Sequence, residues 1–414
     1  MIRPNDSTLT RQPRSALVTA DERDGRTRSA ATRAVFASVL GLMLATGWVA
    51  NHFVALMPLI NDHQHLGAAT LDAIFAIYAV GLLPGLLIGG RASDVLGRQS
   101  VALAGSTTTL VGTVTMLLSQ QTDVLLAGRL IVGLGVGLAM TSGTAWASDL
   151  KGPAGAAAAG ALLTAGFAIG PFAAGVIARA GQPGIRVSFG VAAAIVIAAT
   201  FAVIVTARRA DVTAPATAQD SKPSTPVWPG TARALSWALP LAPWVFASAT
   251  LGFVAIPTRV HTGLAAPMAA GIATLIVNGV SGVIQLVARA SRWGPQAGTA
   301  GAVLAALGYA VAAVAPPTIT PALGLPLFLV LGCASGLLLR EGLIDLEAAA
   351  PRHLRGALTG VFYVVTYVGF GLPLILATVS PAVSAMILFA MALGASAAAV
   401  SRAVRLRRDG HRQA

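Results

Sequence analysis

The sequence predicts an all-α membrane protein with twelve transmembrane helices arranged in two six-helix halves. Of its 414 residues, 55% are hydrophobic and only 10% are charged, and the mean hydropathy is +0.76. A soluble globular domain is far more polar. Apolar runs of about 20 residues, the length that crosses a bilayer, recur along the chain. We place them at 34–60, 68–90, 100–120, 123–147, 155–179, 187–207, 235–257, 267–288, 298–316, 322–346, 356–378 and 381–401.

Polar stretches divide these runs into domains. Residues 1–33 and 402–414 form basic tails, and the longest internal break, 208–234, is rich in Pro, Ala and Thr. Such a composition is typical of a flexible linker. We therefore expect an N-terminal bundle at 34–207 and a C-terminal bundle at 235–401, joined by this linker.

Basic residues are distributed unevenly between the two sides of the predicted bundle. If the spans alternate in direction, nearly every Lys and Arg outside them lies on the side of the tails and the linker. The opposite side holds only Arg179, Arg186 and Arg259. The positive-inside rule then places the tails and the linker in the cytoplasm. The net charge of +13 is thus a topology signal, not a sign of nucleic-acid binding, and we expect a multi-pass protein of the cell (inner, cytoplasmic) membrane.

A short charged loop separates the second and third spans and reads GRASDVLGRQSVAL over residues 90–103. Charged groups at a membrane surface are costly unless they pair. The spacing resembles the loop signature G-x-x-x-D-x-x-G-R of the major facilitator superfamily. This resemblance implies a secondary transporter that works by alternating access, with its substrate site between two repeated halves. We expect the loop to act as a conformational latch comprising Gly90, Asp94, Gly97, Arg98 and Asp149.

The latch has two expected contacts. Arg98 should pair with Asp149 at the end of the fourth span. In the outward-open state, Asp94 should cap the eleventh span near Arg355, because a helix N-terminus attracts a carboxylate. The corresponding loop of the second half reads ARASRWGPQAG and has no counterpart of Asp94, so the resemblance is carried mainly by residues 34–180.

The fourth and fifth spans carry two further patterns. GRLIVGLGVG places Arg129 inside an apolar helix and resembles the superfamily's R-x-x-x-G signature, which implies a part in proton coupling; an outward-extended arginine that pairs locally is the alternative. GFAIGPFAAG contains a helix-kink element of Gly166, Gly170, Pro171 and Gly175. It resembles an element of drug antiporters and implies export, although Gly-Pro kinks also occur in other transport helices.

Other polar and aromatic side chains in the spans are candidates for the site. A histidine ordinarily titrates near physiological pH, so a cavity-facing His52 can carry or sense a proton; alternatively it bonds to its neighbour Asn51 or to the backbone. The first span has no acidic residue, unlike many drug–proton antiporters. Five side chains are candidates for lining the substrate cavity: Asn51, Asn278, Gln285, Trp146 and Tyr367. The alternative is that these side chains only pack within the bundle.

Two carboxylates lie one turn apart near the end of the tenth span. Glu341 and Asp345 can pair with Arg340 or Arg352 as an inner gate, or they can carry protons. We favour the gate. Together with the two side chains above, the candidates for proton coupling are Arg129, His52, Glu341 and Asp345.

Other classes of protein are excluded by missing motifs. The sequence has no nucleotide-binding G-x-x-x-x-G-K-[ST] loop, no hydrolase triad pattern and no metal-ligand spacing, and Cys333 is the single cysteine. We expect no enzyme activity, cofactor or metal. The prediction is proton-coupled efflux of a small amphipathic or hydrophobic compound by a monomer whose partners are that compound, protons and the lipid bilayer. The alternatives are proton-linked uptake of a small metabolite and a non-transporting membrane sensor.

Overall fold

The computed structural model describes residues 14–211, 228–351 and 354–411, and these residues are almost entirely helical. They contain no strand, and one isolated parallel bridge joins Val260 to Ile319. The helices are α1 (Arg14–Asn51), α2 (Phe53–Gln64), α3 (Ala68–Leu96), α4 (Arg98–Leu118), α5 (Thr122–Ile177), α6 (Gln182–Asp211), α7 (Trp228–Ala238), α8 (Ala242–Thr250), α9 (Ala266–Ala290), α10 (Gln296–Val314), α11 (Pro321–Ala349), α12 (Arg355–Tyr367), α13 (Leu372–Thr378) and α14 (Pro381–His411).

Twelve helical stretches of the described residues are long and apolar enough to cross a membrane. Most coincide with one helix. The first span, Ser29–Gln64, joins α1 to α2, and α5 contains the fourth and fifth spans, Thr122–Gly152 and Ala154–Ala180. The seventh span, Gly230–Arg259, includes α8, and the eleventh, Leu358–Thr378, includes α13. The twelve predicted spans are therefore confirmed, in order, with ends shifted by a few residues.

Helices continue into the predicted tails and linker. The helix α1 begins at Arg14, α6 ends at Asp211, α7 begins at Trp228 and α14 ends at His411. A helix can extend past the apolar segment because its own backbone bonds are complete and basic residues are favourable at a helix C-terminus. Parts of the predicted tails and of the predicted linker are therefore helical. Residues 1–13, 212–227 and 412–414 lie outside the described part of the chain.

Two glycines reverse the chain on one side of the bundle. Gly97 alone separates α3 from α4, with φ 89° and ψ 145°, and Gly152 has φ 62° and ψ −154° between the fourth and fifth spans. These backbone conformations are open to glycine and strongly disfavour other residues. The two reversals bring the end of the second span next to the end of the fourth.

The two halves of six spans meet along a long interface. In the first half, α1, α3 and α4 all pack on α5, and in the second half α10 packs on α11 and α14. The halves meet where α9 packs on α5 and α2, and where α3 packs on α12 and α13. We call the side where α6 ends and α7 begins the linker side. The resemblance to the major facilitator superfamily implies a substrate site at this interface.

Candidate functional site

Arg129 lies in the interior of the first half, on the fourth span. Its side chain is 0% exposed, and its Nη1 donates a hydrogen bond to the carbonyl oxygen of Ala50 at 3.0 Å. The guanidinium carbon lies 4.9 Å from the ring centroid of Phe53 and 4.5 Å from that of Tyr78. A cation over two aromatic faces is attracted by both rings. The arginine therefore points into the protein, and the alternative of an outward-extended side chain is wrong.

His52 lies between α1 and α2 in the first span and is fully buried. Its Nδ1 lies 3.0 Å from the carbonyl oxygen of Val49, so Nδ1 carries the hydrogen and donates it. Its ring meets that of Phe189 edge-on at 5.3 Å. No described residue bonds to its Nε2, which in this tautomer is a proton acceptor. One ring nitrogen thus has the expected backbone bond, and the other has no partner among the described residues.

The proline of the helix-kink element creates a carbonyl that two amides share. Pro171 has no N–H, so the carbonyl oxygen of Phe167, four residues earlier, loses its helical partner. The Nδ2 of Asn51 donates to this oxygen at 3.1 Å and the Nδ2 of Asn278 at 3.3 Å. Asn51 belongs to the first half and Asn278 to the second. The kink therefore forms a polar junction between the halves.

The glycines of the same element permit close backbone contact. A methyl group on Gly166 would lie 2.2 Å from the carbonyl oxygen of Leu44, and one on Gly170 would lie 2.8 Å from that of Trp48. On Gly175 it would lie 2.6 Å from the carbonyl oxygen of Pro267 in the eighth span. Any side chain larger than hydrogen would push these helices apart. The fifth span thus packs tightly on the first span and on the second half.

Aromatic rings from both halves pack together toward the side opposite the linker. Phe75 of the second span stacks on Phe370 of the eleventh at 5.1 Å, nearly parallel. Tyr367, a predicted cavity residue, is 3% exposed and lies 4.5 Å from Phe246 and 5.1 Å from Phe370. Phe253 of the seventh span also contacts Phe75, at 6.3 Å. The halves are therefore held together at this side by aromatic packing.

Two other predicted cavity residues have other partners. Trp146 packs against the main hydrophobic core and against a small cluster of Leu42, Ala102 and Val203. Gln285 donates from Nε2 to the carbonyl oxygen of Ser281 in its own helix at 3.1 Å. Asn278 and Gln285 are seven residues apart, yet the two side chains have different partners. The structure brings Asn51 and Asn278 together on one carbonyl oxygen, which neither Trp146 nor Gln285 contacts by a described hydrogen bond.

The predicted latch is partly assembled on the linker side. Arg98 lies 2.5 Å from Asp94 and 2.9 Å from Asp149, and its Nη1 donates to Ser93 at 2.7 Å. The expected Arg98–Asp149 pair is present. No described side chain caps the start of α12, and the Asp94 side chain is 63% exposed. In this conformation Asp94 pairs with Arg98 in place of the expected cap.

An ion cluster occupies the linker side of the second half. Glu341 pairs with Arg340 and, at 3.7 Å, with Arg402, and Asp345 pairs with Arg402. Arg402 also donates to the carbonyl oxygen of Pro295 at 3.2 Å and is 4% exposed. The expected Arg340 partner is present, and Arg352 lies outside the described residues. These pairs stay within the second half, and the role of the cluster as an inner gate stays a prediction.

Arg402 was expected in the C-terminal tail and is the main residue that the sequence misses. It follows the last apolar run and precedes Arg405, Arg407 and Arg408, so its position along the chain resembles that of a solvated tail residue. Its burial depends on α14 continuing along α10. A carboxylate pair one turn apart inside a span is the only sequence signal that an arginine partner is needed.

A family model described as Major Facilitator Superfamily matches residues 36–373, which is most of the chain. The chain belongs to the Major Facilitator Superfamily. The twelve spans, the two halves and the membrane-embedded character are those of this superfamily of transporters, and the family implies a small-molecule substrate.

Curated relatives match only part of the chain. The multidrug resistance protein MdtL of Citrobacter koseri is 32% identical over 108 residues, 26% of this chain and 27% of that protein. MdtL of Shigella flexneri is 31% identical over 81 residues, 20% of this chain and 21% of that protein. The chain thus aligns with about a fifth to a quarter of the length of these relatives.

Solved structures resemble the whole of the described fold. A peptide transporter, POT, in complex with sulfate has a TM-score of 0.73 at 13% identity and covers 90% of this chain and 95% of its own. A POT family transporter in complex with 5-aminolevulinic acid has a TM-score of 0.73 at 12% identity, with 89% and 95% coverage. At such identity the likeness establishes the fold and leaves the substrate open.

Proposed function

We propose that this superfamily member exports small amphipathic or hydrophobic compounds and is driven by the proton gradient. The observation that carries the proposal is the helix-kink element around Pro171, which lies at the junction of the halves and contacts both. The partial match to two multidrug resistance proteins supports the same direction of transport. We further propose that the protein acts as a monomer in the cytoplasmic membrane with both termini inside.

Alternating access gives the junction at Pro171 a mechanical role. Asn51 and Phe167 belong to the same half, whereas Asn278 belongs to the other. When the halves rock apart around the fifth and eighth spans, the bond from Asn278 to the Phe167 oxygen is the one that must break. The bond from Asn51 then keeps the carbonyl satisfied, which lowers the cost of opening the interface.

His52 is the proposed proton site. Its Nε2 is a buried acceptor without a partner among the described residues, and the Arg129 guanidinium binds the carbonyl of Ala50, two residues earlier. A proton on His52 places a second positive charge near Arg129 in a low-dielectric interior, which is unfavourable. Protonation therefore destabilises this packing and drives the change of conformation. Glu341 and Asp345 are set aside as carriers because arginines already pair with them.

Asp94 is proposed to complete the latch in the outward-open state. When the linker side closes, its carboxylate leaves Arg98 and caps the start of α12, where the helix carries partial positive charge. Arg98 stays bound to Asp149, so the fourth span remains anchored to the loop during the exchange. The latch thus stabilises one conformation without fixing the protein in it.

A susceptibility panel tests the export proposal. The protein is expressed in a host that lacks its own drug pumps, and the inhibitory concentrations of amphipathic compounds are measured with and without an uncoupler. Asp94→Asn, expressed to the same level, is the matched control, because it removes the proposed latch and leaves the spans intact. We expect raised resistance that both the uncoupler and the substitution remove. Unchanged susceptibility together with faster accumulation of a nutrient would favour uptake instead.

A further inference from the structure

Arg129 has one edge of its guanidinium free of protein partners. Its Nη1 is bonded to Ala50, whereas Nε and Nη2 are buried and have no acceptor among the described residues. These two nitrogens form the edge of the guanidinium that holds a carboxylate in a bidentate pair. The hydroxyl of Tyr78, on one of the rings that cover the guanidinium, is buried and unpartnered as well. Three donors therefore lie together without an acceptor.

Arg402 shows what the same chain does with a buried arginine elsewhere. It is 4% exposed, close to the 0% of Arg129, but Asp345 and Glu341 both pair with it. No described carboxylate lies within ion-pair distance of Arg129, and the first span, which contacts it, carries Asn51 and His52 at this level. A buried guanidinium without a counter-charge is very costly. The missing counter-charge points to a ligand.

We propose that Arg129 and Tyr78 form a binding site for a small anion. The free edge of Arg129 supplies two parallel N–H donors, and Tyr78 supplies an O–H donor. The rings of Phe53 and Tyr78 hold the plane of the guanidinium, so the edge keeps a fixed direction. A halide and the carboxylate of an organic ligand share this chemistry. The site becomes accessible when the halves move, since its atoms are covered in this conformation.

The source of the anion bears on the proposed direction of transport. Among the described residues, Arg129 and the ring of Phe189 face His52. An anion on Arg129 would offset the repulsion between that arginine and a protonated His52. A ligand that carries its own carboxylate would then move together with the proton, as in uptake. A resident halide would leave the direction of export unchanged. The anion site itself rests on the geometry around Arg129 and Tyr78, and it holds for either direction.

Binding is measured on the purified full-length protein in detergent. The midpoint of thermal unfolding is recorded in sodium gluconate, with chloride, acetate or octanoate replacing gluconate at constant ionic strength. We expect a saturable rise of the midpoint, because a ligand that binds the folded state stabilises it. Arg129→Gln should abolish the rise. Arg340→Gln is the matched control and should keep it, since Glu341 retains Arg402.

Each outcome bears on the proposal. A rise with chloride alone supports a resident halide, and a half-saturating octanoate concentration about ten-fold below that of chloride supports a carboxylate carried by the ligand. The site is overturned if the unfolding midpoint does not change with the anion, or if the midpoint of Arg129→Gln rises as much as that of the wild type. If Arg129→Gln does not fold, Tyr78→Phe keeps both rings; it should weaken anion binding about three-fold or more, and unchanged affinity overturns the site. If the wild-type protein binds the anion but exports no compound, the proposed function is contradicted and the anion site is not.

Discussion

Buried charge is handled differently in the two halves of this transporter. In the second half, Arg402 is neutralised by Asp345 and Glu341, so its charge is balanced in place. In the first half, Arg129 is covered by aromatic rings and one carbonyl. An unbalanced charge in an apolar interior responds strongly to any new charge nearby. Proton or ligand binding is therefore expected to act on the first half, through His52 and Arg129.

Replacing His52 with Gln tests its role as the proton site. Gln keeps a buried polar side chain but cannot take up a proton at neutral pH. We expect proton-driven export to fall at least about ten-fold, while substrate counterflow without a pH gradient persists. His63→Gln, at the exposed end of α2, is the control and should behave as the wild type. Full proton-driven export by His52→Gln would show that the proton binds elsewhere.

Asp94→Asn tests the latch. The amide keeps the size of the side chain but loses the charge that pairs with Arg98 and is proposed to cap α12. We expect normal membrane insertion and loss of most transport, because the stabilised outward-open state is no longer favoured. Asp123→Asn, in the first turn of α5 on the opposite side of the bundle, should transport normally. A fully active Asp94→Asn would remove the latch from the mechanism.

At the scale of the helices, Pro171→Ala tests the polar junction. Alanine restores an N–H that can bond to the Phe167 oxygen in place of Asn51 and Asn278. A proline inside a helix costs about 3 kcal/mol relative to alanine, and each lost amide bond costs about 1 kcal/mol. We therefore expect a modestly higher unfolding midpoint and slower transport.

Pro326→Ala supplies the comparison for that junction. Pro326 lies inside α11, and no described amide bridges the halves there. Its replacement should also raise the unfolding midpoint but leave the transport rate unchanged. If both variants transport like the wild type, the amides at Phe167 have no part in the movement of the halves.

The helices and their order can be predicted from this sequence, whereas the side-chain contacts between helices can be predicted only in part. Hydropathy identifies all twelve spans because a bilayer demands about 20 apolar residues in each. The Arg98–Asp149 pair is also predictable, since both residues flank short turns on one side. The pairing of Arg402 with Asp345 and the sharing of the Phe167 oxygen depend on packing between helices far apart in sequence. Periodicity within one helix carries no information about such contacts.

At the scale of the whole molecule, the asymmetry of Lys and Arg predicts the orientation in the membrane. Reporter fusions after Asp220 and Ala414 should both report the cytoplasm, because the basic segments resist translocation. A fusion after Gly263, in the connection between the seventh and eighth spans, should report the external side. An external signal at Asp220 or Ala414 would contradict the topology.

Transport by purified protein in liposomes tests proton-driven export most directly. The substrate is the compound whose inhibitory concentration the protein raises most, and a pH gradient is imposed across the liposome membrane in either direction. We predict that the substrate moves against the direction of proton flow, that reversing the gradient reverses its movement, and that a proton ionophore abolishes it. Movement of substrate and protons in the same direction, or substrate movement that does not depend on the pH gradient, would contradict proton-driven export.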